Sequence, residues 1–303
     1  MIVRPRPSAL ELLFIVRGSI VPTITPRVLC VLGVSVAIAW LHRVYPHVFG
    51  DLTPAPFTLL GLALSIFLGF RNNACYERWW EARKQWGQLL AESRGLVREG
   101  LALLPADASL QRRSAYRVVA FAHALRNQLR GVDTFGLQDW LSEGEMRRLA
   151  GRRNSPDAVL LMQAEELRAL LQERKLSDIT YRLFSDRLQA LTNIQTACER
   201  LRSTPTPFTY TLLLHRTAWL FCLLLPFGLV STLGMVTPVP TAILAYAFFG
   251  LDALGEELEE PFGLSQNAVP LDALVRAVEI ATLDLLGDTD VPPPLQPHAF
   301  VLR

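Results

Sequence analysis

No catalytic constellation can be assembled from this 303-residue chain. Its five histidines, His42, His47, His123, His215 and His298, are scattered, with no H-x-x-x-H and no E-x-x-H pair. That excludes the helix-borne metal sites built on those spacings. There is no G-x-S-x-G elbow and no P-loop, and no set of nucleophile, base and oxyanion donors comes together. An enzyme is not expected. The four cysteines, Cys30, Cys75, Cys198 and Cys222, stand apart with no C-x-x-C, so disulfides and zinc are not expected, and no cofactor is expected either. Net charge is only +2 and no basic stripe carries interleaved aromatics, which argues against nucleic acid as a partner. No small-residue cleavage site follows ALELLFIV, which Glu11 interrupts and Arg17 ends, so no removed signal peptide is read. Internal repeats are absent as well.

What the chain does have is apolar surface. Half of its residues are hydrophobic and its mean hydropathy is +0.26, although 19% of it is charged. This combination predicts a membrane protein with a substantial water-exposed part. Thr217–Leu251 holds no charged residue, a run too long for one span of about 20 residues. Gly234, Pro238 and Pro240 supply a turn in its middle, so two spans are predicted, at 208–236 and 238–255, with His215 and Arg216 near the headgroups. Two shorter runs, Val28–Leu41 and Phe57–Phe70, would suit a partial span or a buried core helix equally by length. They are assigned spans at 26–42 and 56–72, joined by a short exposed turn, HRVYPHVFGDLTPAP. More than two thirds of the 30 Lys and Arg residues lie between Phe70 and Pro205, whereas the short loops at 42–56 and 234–240 hold only Arg43. The positive-inside tendency then places both termini and the central region in the cytoplasm and predicts four spans.

The densest information lies in GLALSIFLGFRNNACYERWWEARKQWG, Gly61–Gly87. It is uncharged to Phe70, then abruptly rich in Arg, Glu, Asn and Trp, with no Pro or Gly before Gly87. One helix leaving the membrane and continuing into water is predicted. Gly61, Ser65 and Gly69 form a small-residue stripe that lets another backbone approach closely. Leu62, Ile66 and Phe70 form a neighbouring apolar stripe. Taken alone, these three would be lipid-facing or packing residues. Asn72 and Asn73 read as interfacial hydrogen-bonders, and Trp79, Trp80 and Trp86 as boundary or packing aromatics.

SIFLGFRNNACYERWWEARKQWG resembles the bestrophin family of ion channels in its bacterial form. So do PTPFTYTLLLHRTAWLFCLLLPFGLV, Pro205–Val230, and LDALGEELEEPFG, Leu251–Gly263, in the family's order. The resemblance covers residues 1–285. It implies an all-α, multi-pass membrane protein with four transmembrane helices and a helical cytoplasmic domain, forming a homopentamer around one pore in the bacterial inner membrane. In that family the positions matching Leu62, Ile66 and Phe70 point into the pore as an apolar neck, and those matching Asn72 and Asn73 lie at its cytoplasmic mouth. KLSDITY is a further match, and it implies that Ile179 rings a second, cytoplasmic aperture. The resemblance implies passage of small monovalent ions, with Na⁺ or K⁺ favoured over Cl⁻. An anion channel of the same family is the alternative, and so is a non-conducting membrane-anchored helical scaffold.

The remainder of the chain reads as helix and tail. Apolar residues recur at helical spacing through Arg112–Leu129, Asp157–Glu173 and Ser177–Leu201. Asp107 or Ser109 is positioned to cap one helix, and Ser155 with Pro156 to start another. Cytoplasmic helices are expected over 73–205 and 256–285, with an extended tail over 286–303. Asp252, Glu256, Glu257, Glu259 and Glu260 form an acidic cluster. A helix puts four of them near one face, where coordination of a metal or pairing with arginines is conceivable, and pairing is the stronger reading. The animal branch carries a calcium clasp of aspartates after its N-P-F-G motif. Here EEPFG is followed by Leu264, Ser265, Gln266, Asn267 and Ala268, so calcium gating of that kind is not expected.

Overall fold

The computed structural model describes residues 1–5, 7–16, 18–46, 53–132 and 134–303. Among these are ten α-helices and one 3-10 turn, with isolated β-bridges in place of any sheet. The chain divides into two units. One comprises Arg4–Trp79 and Pro205–Pro261; the other comprises Met1–Val3, Trp80–Thr204 and Phe262–Arg303. Arg6, Arg17 and the middle of the predicted exposed turn, 47–52, lie outside the described residues.

The apolar unit begins with α1, Ala9–Phe14, closed by a Ser8/Glu11 capping box. It then contains α2 (Val21–Val44), the first part of α3 (Ala55–Leu103), α8 (Phe208–Leu233) and α9 (Pro238–Glu259). These four long helices are apolar enough to cross a membrane. The break between α8 and α9 falls where Gly234 and Pro238 predict it. Gly234 takes a φ of 53° after α8, a conformation that costs glycine no steric clash. A 3-10 turn, Gly234–Val236, leads into Pro238 at the start of α9. The core stacks Ile24 and Val31 of α2 and Leu64 and Leu68 of α3 on Phe221 of α8 and on Phe248 and Phe249 of α9. Phe221 meets Phe248 edge-on at 5.0 Å, a geometry that aromatic quadrupoles favour. Gly228 admits the ring of Phe57, since a Cβ there would lie 2.3 Å from it.

Helix α3 runs past Gly87, where the sequence pattern suggested a stop, and ends at Leu103. Glycine weakens a helix interior but leaves its hydrogen bonds intact. The first residue that cannot continue the helix is Pro105, which also disfavours helical geometry just before it.

The polar unit holds the rest of α3, then α4 (Ala108–Arg130), α5 (Glu143–Leu149), α6 (Ser155–Gln172), α7 (Asp178–Ser203) and α10 (Leu271–Leu286). Asp107 caps α4 by accepting from Ser109 and Leu110 N–H, and Asn154 caps α6 just before Ser155 and Pro156. Helix α4 is the central member, buried along most of its length. Burial pushes the Cys198 thiol up to about 12, so it behaves as a packed apolar group. All four cysteines are free. Residues 288–297 are without regular structure, and the segment after them pairs with the first residues: Val3 N–H donates to Phe300 O and Leu302 N–H to Met1 O, both at 2.8 Å.

Candidate functional site: the outer face of α3 and the buried carboxylate behind it

On a helix turning about 100° per residue, Leu64, Leu68, Arg71 and Cys75 fall on one side of α3. All four are fully buried or nearly so. Leu62, Ile66 and Phe70 fall on the opposite side, and all three are exposed on the isolated chain. The apolar stripe is therefore not part of this chain's own core. The small-residue stripe divides. Gly61 is turned toward α8, where an added Cβ would sit 3.0 Å from the Phe221 ring. Ser65 is exposed and its hydroxyl donates back to Leu62 O at 2.8 Å, while Gly69 faces open space.

Immediately behind Phe70 lies a polar cluster within the apolar unit. Arg71 on α3 and Asp252 on α9 are both fully buried, and Arg71 Nη1 reaches Asp252 Oδ1 at 2.7 Å. Asp252 occupies a core-facing row with Thr241, Ala245, Phe248 and Gly255. Each residue of the pair thus stands where the helical pattern calls for an apolar side chain. The second carboxylate oxygen is shared. His215 Nδ1 on α8 lies 2.7 Å from Asp252 Oδ2, and Arg27 Nη1 on α2 lies 3.4 Å from it. Glu256 stands 3.8 Å from Arg27 and 4.0 Å from His215, and Glu259 stands 3.7 Å from Arg71 Nη2, too far for a hydrogen bond. Four helices converge on one carboxylate.

Two neighbouring residues complete the arrangement. Asn72 Nδ2 donates to Leu251 O on α9 at 3.0 Å, whereas Asn73 Nδ2 donates to Glu77 on its own helix, at 2.9 Å. Gly255 makes the close approach possible: a Cβ there would meet Asn72 Oδ1 at 2.6 Å and Arg71 Cζ at 3.3 Å. His215, Asp252 and Glu256 each offer one ligand atom within 4.8 Å of the others. Arg27 and Arg71 already hold Asp252, and Arg27 also faces Glu256, so a divalent cation would have to displace positive charge to bind. The geometry favours ion pairing over metal. The reading of the acidic cluster as arginine-paired holds for Asp252, Glu256 and Glu259.

The sequence placed His215 near the headgroups and did not single out Arg71 and Asp252 as a pair. The available signal was Arg71 in register with Leu64, Leu68 and Cys75, a charge on an otherwise buried row. Ile179 is elsewhere, in the polar unit. It is the second residue of α7, after the Ser177 cap, and is 77% exposed. A core role within its own chain is excluded by that exposure. Trp86 is fully buried, and Trp80 is exposed.

Comparison with known proteins gives this geometry its context. Residues 1–284 match the model of the bacterial/fungal bestrophin protein family. A voltage-dependent anion channel-forming protein of Mesorhizobium japonicum is 45% identical, over 98% of this chain and 95% of its own length. One from Escherichia coli K12 is 41% identical, over 98% of each. The crystal structure of a bacterial bestrophin homolog from Klebsiella pneumoniae superposes with a TM-score of 0.84 at 41% identity, covering 88% of this chain and 99% of that one. An all-helical fold, helices suited to a membrane and full-length similarity agree: the chain belongs to the bacterial/fungal bestrophin family, whose members are membrane ion channels and not enzymes.

Proposed function

We propose that five copies of this chain enclose one pore for small monovalent ions, with the outer face of α3 from each copy lining it. The observation that carries the reading is the row Leu62, Ile66 and Phe70, exposed on the side of α3 opposite its own core. One such helix cannot enclose a water path, so the row needs other copies. A ring of these side chains makes a dry neck, and ions must shed hydration or wait for it to dilate. Asn72 and Asn73 sit at the cytoplasmic mouth, and Ile179 rings a second aperture. With Gly61 occupied by Phe221, close helix approach between copies falls to Ser65 and Gly69. Residues 1–285 form the channel unit, with spans near 26–42, 56–72, 208–236 and 238–255. Residues 286–303 form the tail. Both termini face the cytoplasm of a bacterial inner membrane.

Two readings of charge selectivity have separate support. The resemblance to the bacterial branch favours Na⁺ and K⁺. The names of the relatives, anion channel-forming proteins, favour Cl⁻. The neck is uncharged, so dehydration and the field around the path decide between them. Reversal potentials under a salt gradient separate the two directly. For the neck, Ile66→Ala or Phe70→Ala in liposomes or planar bilayers is expected to raise unitary current, and Ile179→Ala to raise it as well. Unchanged current in all three would remove the pore assignment of these residues. Native mass measurement in mild detergent tests the pentamer, and a monomer or dimer would defeat it.

A further inference from the structure

We propose that Asp252 is a positioning residue for the pore: it fixes the rotation of α3 and so the bore of the neck. This inference rests on the reading of Leu62, Ile66 and Phe70 as that neck. Its ground is a double pin between two helices. Arg71 and Asn72 are consecutive on α3, and their partners, Asp252 and the carbonyl of Leu251, are consecutive on α9. Neighbouring side chains on a helix diverge by about 100°, so no rotation of α3 can ease one contact without breaking the other. A third contact lies one turn earlier, where the Tyr210 hydroxyl of α8 donates to Phe67 O at 3.1 Å.

Turning α3 would also pull the fully buried Arg71 guanidinium off its carboxylate in apolar surroundings. The neck side chains lie on the opposite face of the same rigid helix, and Phe70 is the residue before Arg71. Any rotation that moves Arg71 moves them through the same angle. The carboxylate is itself held from three sides. Arg27 on α2 and His215 on α8 share Oδ2 while Arg71 takes Oδ1, and Glu256 and Glu259 face the same cations from α9. Gly255 is required because a larger residue would push Arg71 and Asn72 away from α9. A pair serving stability alone would not need two adjacent anchors and a glycine opposite both.

The test compares unitary current and melting temperature for wild type, Ile66→Ala, Asp252→Asn, Asn72→Ala and the double variant Arg71→Met/Asp252→Leu. The double variant removes the two fully buried charges together, and Arg27 and His215 keep Glu256 at 3.8 and 4.0 Å, so it spares the cost of stranding Arg71 that Asp252→Asn carries. Asp252→Asn and the double variant are expected to change unitary current by about twofold or more, and Asn72→Ala by less, because a dewetting neck responds steeply to its radius. If Ile66→Ala alters the current while Asn72→Ala and the double variant lower only the melting temperature, Asp252 is a structural pair and the inference is overturned. If Ile66→Ala itself leaves the current unchanged, it is the neck reading that fails.

Discussion

The two units of this chain handle buried charge in opposite ways. In the apolar unit Asp252 gathers Arg27, Arg71 and His215, and the surrounding core is aliphatic and aromatic. In the polar unit the charges are spread and doubled. Arg117 pairs with Glu145 and Glu166 at 2.7 Å each, Arg113 also holds Glu166, and Ser142 also donates to Glu145. Asp272 takes both Arg126 and Arg130, and Arg187 takes both Glu92 and Glu99. Where water is near, a lost partner is replaced by a second one or by solvent. In the apolar unit three cations share the one carboxylate instead, and the next one facing Arg71, Glu259, stands 3.7 Å away. The difference is one of redundancy, so single substitutions should separate the two units.

The largest effect is expected from Asp252→Leu, which leaves the fully buried Arg71 guanidinium with its next carboxylate, Glu259, 3.7 Å away. Breaking a buried pair from one side costs about 3–5 kcal/mol, and melting of the purified protein in detergent should report it. Arg117→Met in the polar unit should cost less, about 1–3 kcal/mol, because Ser142 and Arg113 still hold the two carboxylates. Equal losses in the two variants would break the comparison. Gly255→Ala is expected to cost about 1–3 kcal/mol through overpacking against Asn72. Its loss should shrink in an Asn72→Ala background, a coupling that a double-mutant cycle measures.

A smaller, pH-dependent effect belongs to Glu145. Burial pushes its carboxyl up, but the Ser142 backbone and hydroxyl donors and Arg117 outweigh that and hold it below its ordinary value. A carboxyl depressed in the folded state adds stability that is complete above its ordinary range and is lost as pH falls through its folded value. Melting followed downward through the acidic range should show a slope that Glu145→Gln reduces. The smallest effect is expected at Arg148, whose partner Glu165 is exposed like itself. Arg148→Ala should change stability by about 0–1 kcal/mol, and a larger loss would mean that the polar unit is less redundant than its contacts suggest.

Helix α3, the α8–α9 break and the helices α4, α6 and α7 were legible because each is written locally, in periodicity, capping residues and Gly/Pro punctuation. The end of α3 was not, since Gly87 resembles a stop signal while tertiary packing decides whether a glycine breaks a helix. The row Leu62, Ile66 and Phe70 was legible as a stripe, but its exposure depended on which side of α3 the chain itself would bury. Arg71, four residues before Cys75 and three after Leu68, held that answer. Its partner could not be read in advance, because nothing local in LDALGEELEE distinguishes Asp252 from the four glutamates after it. Only the register of α9 turns that one carboxylate inward.

Arg71 and Asp252 are 181 residues apart in the chain. At about 5–20 residues per second of synthesis, the arginine is made roughly 10–35 s before the aspartate that neutralises it. During that interval α2 and α3 carry Arg27 and Arg71 with their final counter-charge still unmade. The first two apolar helices therefore cannot settle in their finished places as they leave the ribosome. They have to wait, with their cationic ends near water or phospholipid headgroups, until the α8–α9 hairpin delivers Asp252. Assembly of this unit is a late event in biosynthesis, completed by its last helix.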